Sequence, residues 1–238
     1  MAVHLAVGVQ AVAGNVILSE ADHGRVSAAV AIAEEKSDGE FVTMVIRASD
    51  DYGDWALMLA TVAAFAKLTG LALFHDQFLN FLSWIGGTWH ADFSAREQLS
   101  AALGIAVLTF TLVWFMLQWM PLRLALTPRA IKIARVRRRA IDAFRIGIAS
   151  RTRARTGVLV YLSLAEHRAE ILGDEAINSR IAAADWGDAM DQLIADVRDG
   201  RPADGIVAAV GMMGALVARH FPRSSDDTNE LPDRLIEL

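Results

Sequence analysis

An uncharged run of twenty residues, 101–120, constrains this chain more than any other stretch of its sequence. Glu97 precedes the run, and Pro121 and Arg123 follow it. In a helix, twenty residues at about 1.5 Å each extend about 30 Å, which matches the hydrocarbon core of a bilayer. The run therefore predicts a membrane-spanning helix. A fully buried helix of a soluble domain is the alternative interpretation.

A second apolar run, residues 55–74, is interrupted only by Lys67. Lys67 lies in the outer half of this run, where a lysine extends its side chain toward the interface and so lowers the cost of its charge. The chain of 238 residues is 54% hydrophobic with a mean hydropathy of +0.33, more apolar than ordinary soluble domains. We therefore predict two spans, at about 55–74 and 101–120. The chain has no cysteine, which excludes disulfides and thiolate metal sites.

Basic residues are concentrated immediately after the second run. Residues 121–155 contain eleven lysines and arginines and one acid, Asp142, whereas residues 75–100 contain only Arg96. Cytoplasmic loops carry the excess of positive charge, so we predict that the basic side is cytoplasmic. Two spans then leave both termini in the cytoplasm, in a multi-pass membrane protein.

From about Pro128 the basic stretch has apolar residues at three- and four-residue steps, which predicts an amphipathic helix. Its arginines are suited to bind either nucleic acid or anionic lipid headgroups. Because the stretch 123–155 directly follows a span, we predict contact with the headgroups of the bilayer and no nucleic-acid partner.

The segments outside the spans alternate between helix and strand patterns. Ser19 and Asp22 have the spacing of a capping box and predict the start of a helix. Residues 40–49 are rich in β-branched residues and predict a strand. Residues 157–164 and 168–172 predict a β-hairpin whose first strand is covered on both faces.

One helix and one strand before the spans cannot bury themselves. We therefore predict a single α/β domain that is split by the membrane hairpin and reassembled in the cytoplasm. Two helices, one carrying Trp186 and one over residues 204–220, follow the β-hairpin. The N-terminal fourteen residues are interpreted as a short strand or a disordered lead. The predicted parts are residues 1–54 and 121–222 for the soluble domain, 55–120 for the membrane hairpin, and 223–238 for an extended tail whose Leu231, Leu235 and Ile236 are available to dock.

Carboxylates follow two of the predicted strands. Asp50, Asp51 and Asp54 lie within five residues after the first strand, and Asp174 and Glu175 follow the hairpin. Hard divalent cations take oxygen ligands, and sites of α/β proteins commonly lie at strand ends. These five residues are therefore candidate ligands for a cation such as calcium or magnesium. A polar loop at the membrane boundary is the alternative interpretation of the first three.

Several segments together resemble the TPM domain family, and in particular its bacterial membrane-anchored members with two spans inside the domain. The resemblance rests on residues 26–52, residues 155–177, Trp186 and residues 199–222, which occur in family order. It implies an α/β/α sandwich around a short sheet. The functions attached to the family are diverse: photosystem repair with an acid phosphatase activity in plastids, an accessory role at a receptor in animals, and a link to calcium in some members.

The residues and the resemblance together support two functions. The first is a non-enzymatic membrane accessory protein that binds a membrane or cytoplasmic protein through an acidic helical face or the hairpin edge. No G-x-S-x-G, Walker or H-E-x-x-H motif occurs in the sequence. The second is a metal-dependent phosphatase for a phosphomonoester, in which the five carboxylates hold a cation that orients water. A transporter built around Lys67 is disfavoured, because two spans enclose a path only in an oligomer.

Overall fold

The structure is a computed structural model that describes residues 18–86, 93–148, 156–224 and 234–238. The predictions for the N-terminal fourteen residues, for Leu231 and for the last basic residues before Thr156 fall outside these ranges. The chain divides into two compact units. Residues 1–50 and 129–238 form the first, here called the sheet unit, and residues 51–128 form the second, here called the helical unit.

Helices and strands alternate as an α/β protein requires. The strands are β1 (Glu40–Ile46), β2 (Gly157–Ser163), β3 (Arg168–Gly173) and β4 (Ile236–Glu237). The helices are α1 (Glu20–Glu34), α2 (Gly53–Leu73), α3 (His75–Gly86), α4 (Ala95–Met116), α5 (Met120–Leu126), α6 (Arg129–Gly147), α7 (Glu175–Arg180), α8 (Gly187–Arg198) and α9 (Pro202–His220). A short 3₁₀ turn, Ala183–Trp186, directly precedes α8.

The four strands form one sheet in the order β3-β2-β1-β4. β1 and β2 are parallel and pair along their whole length, from Glu40 opposite Gly157 to Ile46 opposite Ser163. β3 returns antiparallel to β2, and β4 lies parallel to β1 on the other side. The central pair therefore joins a strand that precedes the helical unit to a strand that follows it.

Both faces of the sheet are covered by helices. Phe41 and Val45 of β1 share one core with α1, α8 and α9, while Val42 and Ile46 share a second core with α6. Every residue of β2 is buried, because alternate side chains enter the two cores. The predicted α/β/α sandwich and its doubly covered strand are confirmed.

α1 begins where the capping box predicted. The Ser19 hydroxyl accepts from the Asp22 amide at 3.2 Å, and the Asp22 carboxylate accepts from the Ser19 amide at 3.2 Å. The Ser19 hydroxyl also donates to the Asp22 carboxylate, and Arg25 forms an ion pair with that carboxylate. These two contacts hold the pKa of Asp22 at about 2. The charged carboxylate thus satisfies helix-end donors that have no partner inside the helix.

Three predicted boundaries are corrected by the structure. The first strand ends at Ile46 and not at residue 49. The last helix begins at Pro202 and not at residue 204. Proline is favourable there because the amide of the first helical residue has no hydrogen-bond partner inside the helix. The apolar run 101–120 is not one helix: α4 ends at Met116 and α5 begins at Met120, because Pro121 cannot continue an α-helix.

The predicted extended tail contributes to the sheet. Its last residues form β4, Leu235 is buried in the core shared with α1, and the Leu238 amide donates to the Val45 carbonyl at 3.1 Å. Glu237 accepts from the Leu18 amide and pairs with His23, both at 3.0 Å. A two-residue strand has no periodicity to detect, so the sequence predicted only that this segment was able to dock.

Within the described residues, three helices are long and apolar enough to cross a membrane. In α2 and α4 only 11% and 6% of the most apolar window is buried, whereas in α9 the figure is 44%. α9 contributes Ile206, Met213 and Val217 to the core beneath the sheet. Its apolar character is therefore explained by packing inside the sheet unit.

The helical unit is built on α2 and α4, which pack through alanines. Ala56, Ala60 and Ala106 are buried, while large apolar side chains of both helices point outward. Small residues let helix backbones approach closely, as in membrane-embedded pairs. The exposed apolar residues are Leu57, Met58, Val62, Phe65 and Leu73 on α2, and Leu99, Leu103, Val107, Leu108, Leu112, Trp114, Phe115 and Met116 on α4.

Arg123 joins the two ends of the helical unit. Its Nε donates to the Leu117 carbonyl at 2.6 Å, just past α4, and its Nη1 donates to the Asp51 carbonyl, just before α2. Trp55 Nε1 donates to the Leu126 carbonyl at 3.2 Å. These bonds hold the point where the chain enters this unit beside the point where it leaves.

The contact between α1 and α9 is limited by a glycine. A Cβ on Gly214 would lie 2.6 Å from the Cβ of Ala33, whereas a Cβ on Gly211 meets nothing within 4 Å. We expect Gly214→Ala to lower the free energy of unfolding by about 1–3 kcal/mol, because the added methyl group overpacks this contact. Gly211→Ala is the matched control and should raise it by about 0.5–1 kcal/mol through helix propensity. Chemical unfolding of the detergent-solubilised protein, followed by circular dichroism, measures both; equal effects of the two variants would contradict the packing argument.

Candidate functional site

The parallel strands β1 and β2 end at the same edge of the sheet, which we call the carboxyl edge. Ligand sites of α/β proteins commonly lie at such an edge. Polar residues from three segments meet there: those following β1, those of the β2–β3 turn, and those of α6. The contacts are Ser49 with Tyr161 and Glu166, Ser163 with Glu166, and Asp50 with Arg135.

Glu166 is the centre of this cluster. Its side chain is buried, and its Oε1 accepts from the Ser49 amide at 3.0 Å. The hydroxyl of Ser163, which is fully buried, donates to Oε2. Glu166 lies in the turn between β2 and β3, so these bonds tie the turn to the segment that follows β1. Buried carboxylates require such donors, because an uncompensated buried charge is costly.

Tyr161 extends the cluster beneath the carboxyl edge. Its hydroxyl lies 3.2 Å from the Ser49 hydroxyl, and its ring is fully buried against α6. Burial raises the pKa of Tyr161, an effect that the Ser49 hydrogen bond and the charge of Arg139 partly oppose. The phenol therefore stays protonated at neutral pH and acts as a hydrogen-bonding group.

The predicted cation ligands occupy different parts of the structure. Asp50 lies at the carboxyl edge, where its carboxylate pairs with Arg135 at 3.0 Å. Asp51 accepts from the Gly53 amide at 3.0 Å at the start of α2, and Asp54 lies in the first turn of that helix. Acidic groups at these positions are favoured by the helix dipole.

Asp174 and Glu175 lie at the opposite end of the sheet from Asp50. β3 runs antiparallel to β2, so Gly173 stands opposite Val158 near the start of β2. Seven-residue strands are about 23 Å long, which is too far for Asp50 and Asp174 to share one cation. Asp174 instead caps α7, accepting from the Glu175 amide at 2.8 Å. Among the described residues, no group of three or more His, Asp or Glu side chains is arranged to hold a metal ion.

The carboxyl-edge cluster was not predicted from the sequence. The sequence placed Glu166 in a tight connection and Tyr161 in a buried strand, without assigning either a polar contact. Ser49, Ser163 and Glu166 have no motif spacing, and only the parallel pairing of β1 with β2 brings them together. The one sequence signal that points to them is an acid in the hairpin turn, and its burial is visible only in the folded structure.

The hydrogen bonds of Glu166 generate a stability prediction. Glu166→Ala leaves the Ser49 amide and the buried Ser163 hydroxyl without their acceptor, and each such donor costs about 1–3 kcal/mol. We expect a loss of about 2–4 kcal/mol in the free energy of unfolding. Glu35→Ala, at an exposed position after α1, is the control and should change it by less than about 0.5 kcal/mol. Thermal and chemical unfolding followed by circular dichroism compare the two; a Glu166→Ala protein as stable as the parent would show that the contacts contribute nothing.

Comparisons with known proteins agree with this architecture. The family described as "TPM domain" matches residues 126–216, which include α6, the β2–β3 hairpin, α7, α8 and most of α9. Among solved structures, the chain is similar to the NMR structure of the BA42 protein from the psychrophilic bacterium Bizionia argentinensis. The TM-score is 0.54 and the sequence identity 15%, over 94% of this chain and 97% of that one.

Comparison with curated proteins gives no match. At 15% identity, the likeness to BA42 describes the fold alone. The mixed α/β sheet unit and the family match are independent observations, and they agree with the resemblance found in the sequence. The chain therefore contains a TPM domain.

Proposed function

We propose that this chain is an integral membrane protein in which a two-span hairpin anchors a cytoplasmic TPM domain, and that it acts as a non-enzymatic accessory protein at the bacterial inner membrane. The observation that carries the proposal is the pairing of β1 with β2 on either side of an apolar helical unit. The partner would be a membrane or cytoplasmic protein held beside the bilayer.

The surface of the helical unit supports membrane insertion. Large apolar side chains cover α2 and α4, with Phe65 66% and Phe115 73% exposed. Soluble monomers rarely expose contiguous apolar patches of more than a few hundred Å². In a bilayer these side chains contact lipid, and the helices satisfy their own backbone hydrogen bonds. The lengths of 21 and 22 residues match the hydrocarbon thickness.

The sheet supports an even number of crossings. β1 precedes the helical unit and β2 follows it, yet the two strands pair residue by residue. Both strands must therefore lie on one side of the bilayer. Two crossings, by α2 and α4, satisfy this condition. α9, the third apolar helix, is part of the core beneath the sheet and is not assigned to the membrane.

The basic helix supports the orientation. α6 begins at Arg129, shortly after the second span, and buries Val136 and Ala140 against the sheet. Cytoplasmic segments next to spans are enriched in such charge, and each cation near an anionic surface contributes on the order of 1 kcal/mol. Exposed arginines on this helix are Arg129, Arg137, Arg138, Arg139 and Arg145.

A metal-dependent phosphatase is the second candidate, and we favour it less. Asp50 and Asp174 lie at opposite ends of the sheet, so a calcium or magnesium ion would have to be held at one end alone. Asp50 forms an ion pair with Arg135, and Asp174 caps α7, so both carboxylates have structural roles that do not involve a cation. An accessory role needs no such site, and it is the function that the geometry supports best.

The proposed topology is tested with single cysteines, because the parent chain has none. Asn80→Cys lies between the two spans on α3, and Ser179→Cys lies on α7; both positions are exposed. In intact cells whose outer membrane admits the reagent, we expect a membrane-impermeant maleimide to label Asn80→Cys only. Ser179→Cys should react after the inner membrane is permeabilised.

Alkaline extraction of the same membranes provides the control for insertion. We expect the protein to remain in the membrane fraction. Release by alkali would overturn membrane insertion, and labelling of both positions from one side would overturn the two crossings. Labelling of Ser179→Cys alone in intact cells would reverse the orientation.

The lipid contact of α6 is tested by reaction of Ala134→Cys, an exposed position beside its arginines. In proteoliposomes with anionic lipid, we expect maleimide labelling to be about thirtyfold slower than in zwitterionic lipid, since two surface-bound charges supply about 2 kcal/mol. High salt should remove the difference because it screens the charges. Ser179→Cys is the matched control and should react equally in both lipids. An equal rate for Ala134→Cys in both lipids would contradict headgroup binding.

A further inference from the structure

The outer edge of β3 has no neighbouring strand among the described residues. In the order β3-β2-β1-β4, β2 is the one described strand that pairs with β3. The Asp174 amide donates to the Gly157 carbonyl of β2, at 2.8 Å. Because backbone groups alternate in direction along a strand, those of Glu170 and Arg168 also face β2, and those of Ala169 and Ile171 face outward. Within the described ranges, no helix or loop supplies a backbone hydrogen bond to these two residues.

Two opposite charges flank Ala169 on this edge. Arg168 and Glu170 are both half-buried, and in the described part of the chain neither side chain makes a hydrogen bond or an ion pair within 4 Å. Burial raises the pKa of Glu170, and the more distant charges of Arg137 and Arg168 oppose the rise only in part. A half-buried carboxylate at an open edge is stabilised by any cation that is brought against it.

We propose that two copies of this chain associate through β3, as antiparallel neighbours related by a two-fold axis at Ala169, forming one continuous sheet across the dimer. In this register Ala169 lies opposite the partner subunit's Ala169, and the two residues exchange both backbone hydrogen bonds. Arg168 then lies opposite the partner subunit's Glu170, and Glu170 opposite the partner subunit's Arg168. This inference rests on the proposed function of the chain as a membrane-anchored accessory protein, and it identifies a second copy of the chain as one partner.

The register follows from the charges and the backbone directions. A two-fold axis at Glu170 would place two glutamates side by side and would use backbone groups already bonded to β2. An axis at Ile171 would use outward backbone groups but would pair Glu170 with Leu172. Only the axis at Ala169 uses free backbone groups and forms two ion pairs. Such self-complementarity is what a two-fold interface requires.

The same charges have a second physical interpretation, which the test must separate. Charged residues on edge strands protect sheets from unwanted pairing. Protection requires only that charges be present, whereas pairing requires opposite signs at matched positions. Reversing one charge therefore distinguishes the two roles.

The experiment uses Ala169→Cys in native membranes under mild oxidation. Opposed residues that exchange both hydrogen bonds have Cα atoms about 5.5 Å apart, within the range that a disulfide spans. We expect a disulfide-linked dimer on non-reducing gels. Ser179→Cys, exposed on α7, measures the background from random collision and should give little dimer.

Charge reversal is then combined with the cysteine. Arg168→Glu places two glutamates opposite each other twice, and should reduce the cross-link of Ala169→Cys to the background of Ser179→Cys. Arg168→Glu with Glu170→Arg restores opposite signs and should restore the cross-link. Background cross-linking of Ala169→Cys, or equal cross-linking in all charge variants, would overturn the proposed dimer.

Alkaline extraction of the same samples keeps this inference separate from the proposed function. Protein that stays in the membrane without cross-linking overturns the dimer and leaves the membrane anchor intact. Protein released by alkali overturns the anchor, whatever the cross-link shows. Circular dichroism of each purified variant confirms that the sheet unit is folded.

Discussion

The parallel pairing of β1 with β2 is the constraint on which the rest of the structure depends. It joins segments on either side of the helical unit, and it creates both cores because β2 is covered on two faces. Such a distant contact carries a large loop-closure cost, and non-local parallel pairing is intrinsically slow. The bonds from Arg123 to Leu117 and Asp51 address this cost directly. They bring the entry and the exit of the helical unit together, so the folded helical unit shortens the effective loop between β1 and α6.

Local signals account for the parts of the fold that the sequence predicted well. Ser19 and Asp22 form the predicted capping box, and the β-branched run beginning at Glu40 is a strand. Each of these patterns has a cause within a few residues. The bounds were less accurate where a neighbour decides them: Pro121 interrupts the apolar run, and β4 exists because the edge of β1 accepts it. Two residues cannot signal a strand that is stabilised by its partner.

The candidate site was harder to predict because strand direction is not visible in the order of acids along a sequence. Asp50 and Asp174 both follow strands, and the sequence treated both as members of one site. The antiparallel return of β3 sends Asp174 to the far end of the sheet. The carboxylate that is buried at the carboxyl edge is Glu166, which lies in a turn and has no motif around it. Its partners Ser49 and Ser163 come from two strands, so they become neighbours only after the central pair has formed.

The two edges of the sheet differ in whether another segment of the chain pairs with the edge strand. On the β1 side, β4 pairs with Met44 and Val45, Leu238 bonds to Val45, Leu235 enters the core, and Glu237 pairs with His23. The β3 side has no such cover among the described residues, yet its strand is half-buried along its length. A paired edge strand is protected from association with other chains, whereas an unpaired one needs either charged side chains that prevent such association or a partner strand. Arg168 and Glu170 provide opposite charges at positions that satisfy a two-fold axis, which protection alone does not require.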